Sequence, residues 1–595
     1  MNKENRNNNW DLSVMFDSNE SFLEELKSFS NDMNGVLEYK GKVFESSKTL
    51  LKAITFKTSL DRRLENLYVF INMKSHENMG DSFYQDLKSK VDNKVSEYFA
   101  ITSFFIPEVL TNDYDTFEKY ANEEQDLLKY KKLFKDIFRF KPHVLTSSEE
   151  KVLASFGTVL NSSSDISSLL MNVDLKFDDV LDSKGNANKL TNSNYINMMK
   201  SNDRVKRQNA FNSIYNGYSS VINTFAKSLH TSVLKDTINT KLRNYESTIK
   251  SSLFSDNIDI SVYDNLVNMT NERLDVLHKF YEVKKKVLNL DELHLYDVHV
   301  DPFSFDKNYS FEEASDIVKD SLGVLGNEYI SVLSSALENN WIDKFPKEGK
   351  KSGAYSWGSY DSYPYILMNF EGDINDVSTL THELGHSIHT YYSNKNNEYH
   401  YASYKIFVAE VASTVNELLL YDYLYKSSTD NKLKLYALNQ QLKLYVTTFF
   451  RQTMFAEFEK NIYSEVESGE SLTVDKLNEN YFSLVKKYFG PSVNIDEKSK
   501  FEWARIPHFY NSFYVYQYAT GIAAATYIVE ELLKDESYKE KYIKFLKGGN
   551  SKYPLELLND IGVDMSDAKV IESALNRFES ILLEFEKTLE VMQDE

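Results

Sequence analysis

The sequence contains no cysteine and is poor in glycine and proline. Without cysteine the chain has no disulfides and no thiolate metal ligands, so any bound metal must be held by histidine and carboxylate side chains. The 19 glycines and 8 prolines together make 27 of 595 residues, well below the roughly 12% of average proteins. Turns are therefore sparse, and we predict a mainly α-helical protein built from long elements.

Positive charge is also in deficit, with 68 Lys and Arg against 89 Asp and Glu, a net charge of −21. No basic cluster with interleaved aromatic residues stands out, so a nucleic-acid partner is not expected. No stretch approaches the roughly 18 apolar residues of a membrane span, and the polar start, residues 1–9, lacks the apolar core of a signal peptide. We therefore expect a soluble, cytoplasmic protein with no membrane partner, which the absence of cysteine also fits.

The strongest local signal is the run His382-Glu383-Leu384-Gly385-His386. On a helix, residues i and i+4 lie on one face about 6 Å apart along the axis, so both imidazoles can reach one ion. This is the HExxH pattern of zinc-dependent hydrolases, in which the glutamate acts as a general base on water without being a ligand. The sequence therefore predicts His382 and His386 as metal ligands and Glu383 as the catalytic base.

The residues around this motif predict a helix that carries it. Apolar side chains recur there at helical spacing: Val377, Leu380, Leu384 and Ile388. Candidate capping residues precede or overlap this pattern: Asn375, Asp376 and Ser378. His389 follows His386 at i+3 and is predicted to support the metal ligands as a hydrogen-bond donor without binding the ion itself. A third-ligand role or plain core packing are the alternatives for His389.

A third metal ligand is predicted from the next apolar segment, residues 404–420. Glu410 interrupts a pattern that otherwise indicates a mostly buried helix, and a carboxylate there is costly unless it is paired or bound to metal. The 24 positions from His386 to Glu410 leave room for the first helix to end near residues 394–397 and for a second helix to return. Glu417 shares the same side and is predicted to support the site, although both glutamates could also form an ordinary solvated stripe.

A polar turn between short strands, near residues 182–192, marks a boundary between two parts of the chain. We predict an N-terminal helical lobe over residues 1–194 and a catalytic domain over residues 195–595.

Strand-like alternation appears just before the predicted metal helix, at residues 355–360 and 365–370. A substrate peptide could add to a free strand edge there, held by backbone hydrogen bonds. Gly353 and Gly358 would permit its close approach, and Tyr355 is a further substrate-binding candidate. A hairpin that only braces the metal helix is the alternative.

Several motifs together carry a family resemblance. The HELGH run followed by Phe407-Val-Ala-Glu410-Val-Ala-Ser413 resembles the thimet oligopeptidase clan of zinc peptidases, and within it the bacterial oligoendopeptidase F branch. Trp10-Asp-Leu and the segments 353–370 and 505–521 resemble other parts of that branch. The resemblance therefore runs over nearly the whole chain.

The resemblance implies a fold and a cofactor. The expected fold is two helical lobes that enclose a deep substrate channel, with a small β-sheet next to the zinc helix. One zinc ion per chain would be held by His382, His386 and Glu410, and the β-sheet would bind substrate.

The resemblance also assigns roles to the segment after the zinc helices. His508 and Tyr514 match the family's donors to the oxyanion, and Tyr516 and Tyr518 are further substrate-binding candidates. Core packing is the alternative for each tyrosine. The thimet branch has a glycine-rich loop in this region, whereas this chain has Phe509-Tyr-Asn-Ser-Phe513.

The predicted function is a zinc-dependent endopeptidase that hydrolyses short oligopeptides. One alternative is a helical zinc carboxypeptidase or dipeptidyl carboxypeptidase, in which a cation such as Arg505 would hold the free carboxyl end of the substrate. An alternative of another class is a non-catalytic peptide-binding helical scaffold. The sequence makes no prediction of the oligomeric state.

Overall fold

Helices make up most of the protein. The computed structural model describes residues 8–303, 305 and 307–594, and the predicted mainly α-helical class is confirmed. The helices of the first half are α1 Asn19–Asp32, α2 Ser47–Glu77, α3 Ser82–Thr102, α4 Phe105–Leu110, α5 Tyr114–Glu123, α6 Lys131–Arg139, α7 Ser147–Ser155, α8 Gly157–Leu169, α9 Tyr195–Met199, α10 Arg204–Ser220, α11 Ile222–Leu242, α12 Thr248–Phe254, α13 Ile260–Glu272 and α14 Leu274–Val287.

The second half of the chain continues in the same manner. Its helices are α15 Phe311–Ser321, α16 Gly326–Glu338, α17 Ile374–Asn396, α18 Tyr399–Ala402, α19 Ile406–Ser427, α20 Asn431–Leu444, α21 Arg451–Glu467, α22 Val474–Phe489, α23 Tyr516–Lys534, α24 Tyr538–Leu546, α25 Pro554–Asn559 and α26 Ala568–Asp594. Short 3₁₀ or π segments occupy Leu12–Val14, Met33–Tyr39, Gln125–Tyr130, Lys141–His143, Leu170–Asp174, Gly323–Leu325, Tyr445–Phe450, Glu497–Arg505 and Pro507–Tyr510.

Strands are few and short. They are β1 Val180–Leu181, β2 Ala187–Asn188, β3 Leu293–His294, β4 Ile342–Asp343, β5 Tyr355–Trp357, β6 Tyr365–Leu367 and β7 Val493–Asn494. β1 and β2 form an antiparallel pair around the predicted polar turn, and β3 pairs with β7 in parallel.

The chain forms two compact units, and both are discontinuous in sequence. Unit 1 contains Met1–Val144, Asp306–Tyr423 and Ile528–Gly562. Unit 2 contains Leu145–Phe305, Leu424–Tyr527 and Val563–Glu595. The division into an N-terminal lobe, residues 1–194, and a catalytic domain, residues 195–595, stays a prediction.

The β-sheet of unit 1 has three strands in the order β4-β6-β5. The central strand β6 is completely buried, and its one polar side-chain group, the Tyr365 hydroxyl, donates a hydrogen bond of 2.7 Å to the Asp11 carbonyl. β5 pairs with it antiparallel, with Ser356 opposite Ile366, and β4 pairs with it in parallel. Ser387 of α17 donates a hydrogen bond of 2.5 Å to the Pro364 carbonyl, so the sheet lies directly beside this helix as predicted.

Within the described ranges, every helix is too short or too polar to cross a membrane.

Candidate metal centre and catalytic residues

Helix α17 carries the HELGH run, and 13 of its 23 residues are buried. Asp373 caps the helix: its carboxylate accepts a hydrogen bond of 2.8 Å from the Asp376 backbone N–H, and a capping box is formed. The sequence-based choice of Asn375, Asp376 or Ser378 as the cap was therefore wrong, because the helix begins at Ile374 and includes all three. The helix ends at Asn396, within the predicted range.

The HELGH face meets helix α19 at very short range. A Cβ atom on Gly385 would lie 2.6 Å from the Ser413 Cα and 2.8 Å from the Ala412 carbonyl oxygen. Only a residue without a side chain fits there, so Gly385 sets the spacing between the two helices. Asn416 of α19 adds a buried hydrogen bond of 3.2 Å to the Thr381 carbonyl, and it accepts one of 3.0 Å from the Tyr329 hydroxyl.

This close approach brings the three predicted ligands together. His382 Nε2 and His386 Nε2 are 3.2 Å apart. Glu410 Oε2 lies 3.7 Å from His382 Nε2 and 3.5 Å from His386 Nε2. One potential ligand atom from each of the three residues falls within 4.8 Å of the others. The two histidines are partly exposed, so an ion or substrate could reach them.

Carboxylates surround the two imidazoles and suit the cluster to a cation. The other ring nitrogen of His382, Nδ1, lies 3.0 Å from Glu417 Oε2. Burial opposes protonation of His382, but the hydrogen bond and charge of Glu417, with Glu410 and Glu383, raise its pKa to about 9. A local potential this negative, with nitrogen and oxygen donors at one point, fits a divalent ion such as zinc.

Glu410 is held in place as an ionised carboxylate. Burial alone would raise its pKa, but hydrogen bonding and charge from His386, with His382 and Ser413, lower the pKa to about 2. The Ser413 hydroxyl donates a hydrogen bond of 3.0 Å to Glu410 Oε2. Glu410 is therefore negatively charged at neutral pH, which is the state that a metal ligand requires.

Glu383 differs from Glu410 in its environment. Glu383 is only 8% exposed to solvent. Burial raises the pKa of the Glu383 carboxyl group, whereas the nearby His382 and His386 imidazoles lower it less strongly. A carboxylate whose pKa is raised toward neutrality can take and return a proton during catalysis.

Two further predicted residues lie close to the motif with different surroundings. Glu417 contacts His382, as described above, and its Oε1 atom lies 3.5 Å from the Ser378 hydroxyl. His389 is buried and stacks on Tyr404 with ring centroids 3.8 Å apart. Burial lowers the pKa of His389 to about 3, and within the described residues its Nδ1 has no hydrogen-bond partner. The supporting roles of both residues remain predictions.

The predicted substrate strand is the edge strand β5. In the part of the chain that the structure describes, β5 pairs only with β6. The Tyr355 hydroxyl lies 2.8 Å from His76 Nδ1 of α2. Gly353 has φ +81° and open space at its Cβ position, whereas a Cβ on Gly358 would lie 2.4 Å from the Tyr363 carbonyl oxygen. Gly358 is thus required by the turn into β6, and Gly353 borders open space.

In unit 2, His508 and two of the predicted tyrosines form one aromatic cluster. The His508 ring lies 6.2 Å from Tyr514 and 6.1 Å from Tyr518, and these tyrosines are 5.5 Å apart. Burial lowers the pKa of His508, so its imidazole is neutral at physiological pH and can donate a hydrogen bond. Tyr516 is different: it is 3% exposed and packs on Tyr263 at 5.2 Å.

A buried carboxyl group, which the sequence analysis missed, holds this segment. Glu459 of α21 is fully buried, and its Oε1 accepts a hydrogen bond of 2.7 Å from the Phe513 backbone N–H. Phe513 adopts a left-handed backbone with φ +52°, and its ring packs on Tyr463 at 4.7 Å. Burial raises the pKa of Glu459 well above its ordinary value, and the hydrogen bond from Phe513 opposes this shift less strongly. These contacts fix the residue that precedes Tyr514.

Arg505, the candidate anchor for a substrate carboxylate, is largely buried in unit 2. Its guanidinium lies 4.5 Å from the ring centre of Tyr195, and its Nη1 is 3.7 Å from Glu502. Glu502 also pairs with Arg451 at 2.6 Å. Arg505 is thus part of an internal charge cluster.

Comparisons with known proteins identify the family of this chain. The sequence profile of Peptidase family M3 matches residues 197–577, and that of the Oligopeptidase F amino-terminal region matches residues 108–177. Oligopeptidase PepF of Bacillus subtilis is 41% identical over 98% of this chain and 87% of its own length. Group B oligopeptidase PepB of Streptococcus agalactiae is 36% identical over 97% of this chain and 96% of its own.

Solved structures show the same architecture. Oligoendopeptidase-F from Enterococcus faecium is 33% identical, with a TM-score of 0.75 over 96% of this chain and 99% of that one. A crystal structure of a Chlamydophila abortus protein is 34% identical, with a TM-score of 0.93 over 98% of both chains. On its sequence, its fold and its full-length relatives, this chain belongs to peptidase family M3.

Proposed function

We propose that this protein is a zinc-dependent endopeptidase that hydrolyses short oligopeptides. The observation that carries the proposal is the convergence of His382, His386 and Glu410 on one point. Two imidazoles and one carboxylate are a ligand set of catalytic zinc sites, which keep a further position open for water or substrate. One ion per chain would be held by these three residues, with Glu417 orienting the His382 ring.

Zinc in such a site supplies Lewis acidity toward water and toward the carbonyl group that is cleaved. Glu383 accepts the proton of the attacking water and passes it to the amine that leaves. Its raised pKa supports this exchange, because the carboxyl group can hold the proton for part of the cycle. Removing the carboxylate should therefore affect turnover far more than metal binding.

Negative charge that develops on the carbonyl oxygen requires neutral donors. We assign this role to His508 and Tyr514, with Tyr518 as a further substrate contact, because the family resemblance points to this segment. Their chemistry suits the role: neutral imidazole N–H and phenol O–H groups stabilise an oxyanion by hydrogen bonding. The substrate role of Tyr516 is retained as the weaker part of the proposal, since this side chain packs in the core.

The substrate backbone is assigned to the edge of β5. An extended peptide would pair with this strand through main-chain hydrogen bonds, which are independent of side-chain identity. Gly353, next to open space, and Tyr355 would lie along the bound peptide. The family resemblance implies an enclosed channel between two lobes, which would restrict the substrates to short peptides. This channel stays a prediction for the present chain. The cytoplasmic location also stays a prediction.

The deciding assay uses an internally quenched peptide with an amidated carboxyl end. We expect cleavage inside the peptide, loss of activity with a zinc chelator, and recovery when stoichiometric zinc is returned. Cleavage that needs a free carboxyl end would favour the carboxypeptidase alternative. Binding of the peptide without any cleavage in the zinc-loaded protein would favour the scaffold alternative. A folded protein of the same cleavable sequence, as the control, should remain intact.

A further inference from the structure

A polar cavity lies wholly within unit 2, beside the segment that carries His508. Its volume is about 330 Å³, at the lower end of the range for pockets that bind small organic groups. Helix α8 and the residues just after it form one wall, and Pro507 and Tyr510 form another. Because these two residues lie on either side of His508 in sequence, a group bound in the cavity would be close to the proposed oxyanion donors.

Hydrogen bonds hold part of the cavity wall in place. The buried Tyr218 hydroxyl donates a hydrogen bond of 2.9 Å to Asn192 Oδ1, and the Asn192 amide donates in turn to the Met171 carbonyl. On the α8 side, the Asn172 amide donates to the Ser168 hydroxyl oxygen at 3.4 Å, so the Ser168 proton can point to a ligand. The cavity therefore has a fixed polar wall and an additional hydroxyl donor.

Arg505 supplies the only charge among the described residues that line this cavity. Its side chain is 13% exposed. Among residues 8–303, 305 and 307–594, its Nε is buried without a hydrogen-bond partner, and no hydrogen bond is found for the rest of its guanidinium group. The guanidinium lies over the Tyr195 ring, 4.5 Å from the ring centre. A largely buried cation with unused donors is costly, and a bound anion would reduce this cost.

Glu502, the carboxylate nearest to Arg505, is already engaged by other groups. Its Oε1 accepts a hydrogen bond of 2.6 Å from Arg451, and its Oε2 accepts one of 2.9 Å from the Tyr481 hydroxyl. Arg505 Nη1 is 3.7 Å from Glu502 Oε1, which is too far for a hydrogen bond. Two guanidinium groups thus share one carboxylate, and one positive charge remains at the cavity.

We propose that this cavity is a specificity subsite, in which Arg505 binds a carboxylate of the peptide substrate. The inference rests on the proposed peptidase function, because that function brings a peptide to the His508 segment. A guanidinium group can donate two parallel hydrogen bonds to a planar carboxylate, and Ser168 can add a third. Acidic side chains and the free carboxyl end of a peptide share this chemistry. A lysine or arginine side chain would meet Arg505 without a carboxylate in the cavity wall.

The test uses pairs of quenched, amidated peptides that differ only by Glu or Gln at one position, and this position is moved along the peptide from pair to pair. We expect one position at which KM is at least about tenfold lower for Glu, because the amide loses the charge-assisted hydrogen bonds. The net charge of −21 disfavours acidic peptides in general. A preference for Glu at one position would therefore identify a specific site.

A further pair separates the two sources of the carboxylate. Its members contain no acidic residue, and one has a free carboxyl end whereas the other is amidated. A tenfold lower KM for the free end, without a preference for Glu in the other pairs, would identify the terminal carboxylate as the occupant. Equal KM values in every pair would overturn the proposal, and so would an equal effect of Glu at all positions.

Two variants locate the subsite. Arg505→Gln removes the cation, so the ratio of KM values in the favoured pair should fall to about one. This ratio is measured within one protein, so a general loss of activity cancels, and the wild-type comparison does not depend on the folding of this variant. Arg273→Gln is the matched control, because Arg273 pairs with Glu579 at 2.8 Å and does not line the cavity. An unchanged ratio in Arg505→Gln, or an equal loss in both variants, would refute the assignment.

Binding to the metal-free protein distinguishes failure of the subsite from failure of the proposed function. The same peptides, labelled with a fluorophore, are titrated with metal-free wild type and followed by anisotropy. The carboxylate member of the favoured pair should again bind about tenfold more tightly. Cleavage by the zinc-loaded protein without any such preference in KM or binding would overturn the subsite alone. A preference in binding without cleavage by the zinc-loaded protein would support the subsite and contradict the peptidase function.

Discussion

The replacement of Gly385 by alanine tests how the metal centre is built. Gly385 is not a predicted ligand, and alanine favours helices more than glycine does. On local grounds the change should therefore stabilise α17. The tertiary contact predicts the opposite, because the new Cβ would lie 2.6 Å from the Ser413 Cα.

The size of the effect follows from that distance. Carbon atoms in contact are ordinarily about 3.5 to 4.0 Å apart, so α17 and α19 would have to separate locally by about 1 Å. Ligand distances in metal sites lie within about 0.2 Å of their usual values. Since Glu410 is one turn from Ser413, we expect zinc affinity to fall at least about 100-fold. Overpacking should also cost about 1 to 3 kcal/mol of folding stability.

Zinc affinity of Gly385→Ala is measured by competition with a chromophoric chelator, with circular dichroism to confirm folding. Gly323→Ala is the matched control in unit 1, since a Cβ there would meet no atom within 4 Å. This control should keep wild-type affinity. A folded Gly385→Ala protein that binds zinc as tightly as the wild type would refute the argument that the glycine sets the ligand geometry.

Three other changes have definite expected outcomes. Glu417→Gln should lower zinc affinity or turnover by about 10- to 100-fold by removing the acceptor for His382, and unaltered values in both would count against that contact. His508→Ala should reduce kcat with little change in zinc content, and a purely structural role would instead lower the melting temperature without this selective loss. Because burial raises the folded pKa of Glu459, this group contributes its full stability below the unfolded pKa of about 4.3 and loses it as pH rises toward the folded pKa, so Glu459→Gln should gain in melting temperature relative to wild type over the pH range above about 4.3. A constant difference across that range would contradict a raised pKa.

Local sequence patterns were sufficient for the helical class and for the placement of the HELGH run. The spacing of the two histidines needs only helix geometry, and the carboxylate at position 410 was conspicuous because its neighbours are apolar. Glu410 does lie beside both imidazoles. The helix cap was missed because several acceptors precede the apolar pattern, and only the backbone shows that Asp373 is the one outside the helix.

Other features depend on contacts between segments that are distant in sequence. Gly385 is visible in the sequence as a glycine inside a helical pattern. Only the structure shows why a glycine is required there, namely the close approach of the Ser413 backbone. Glu459 lies 54 positions before the N–H group that it binds, and nothing in its local pattern indicates this partner. Contacts of this kind between distant segments produce no periodic pattern in a single sequence.

The most direct test of the proposed chemistry is turnover by zinc-loaded Glu383→Gln, with metal content determined on the same sample. The proposed mechanism predicts one zinc ion per chain, as in the wild type, and a kcat lower by about 100-fold or more, because the ligands remain and the proton acceptor is lost. A variant that holds its zinc and cleaves the quenched peptide at nearly the wild-type rate would contradict the assignment of Glu383 as the base.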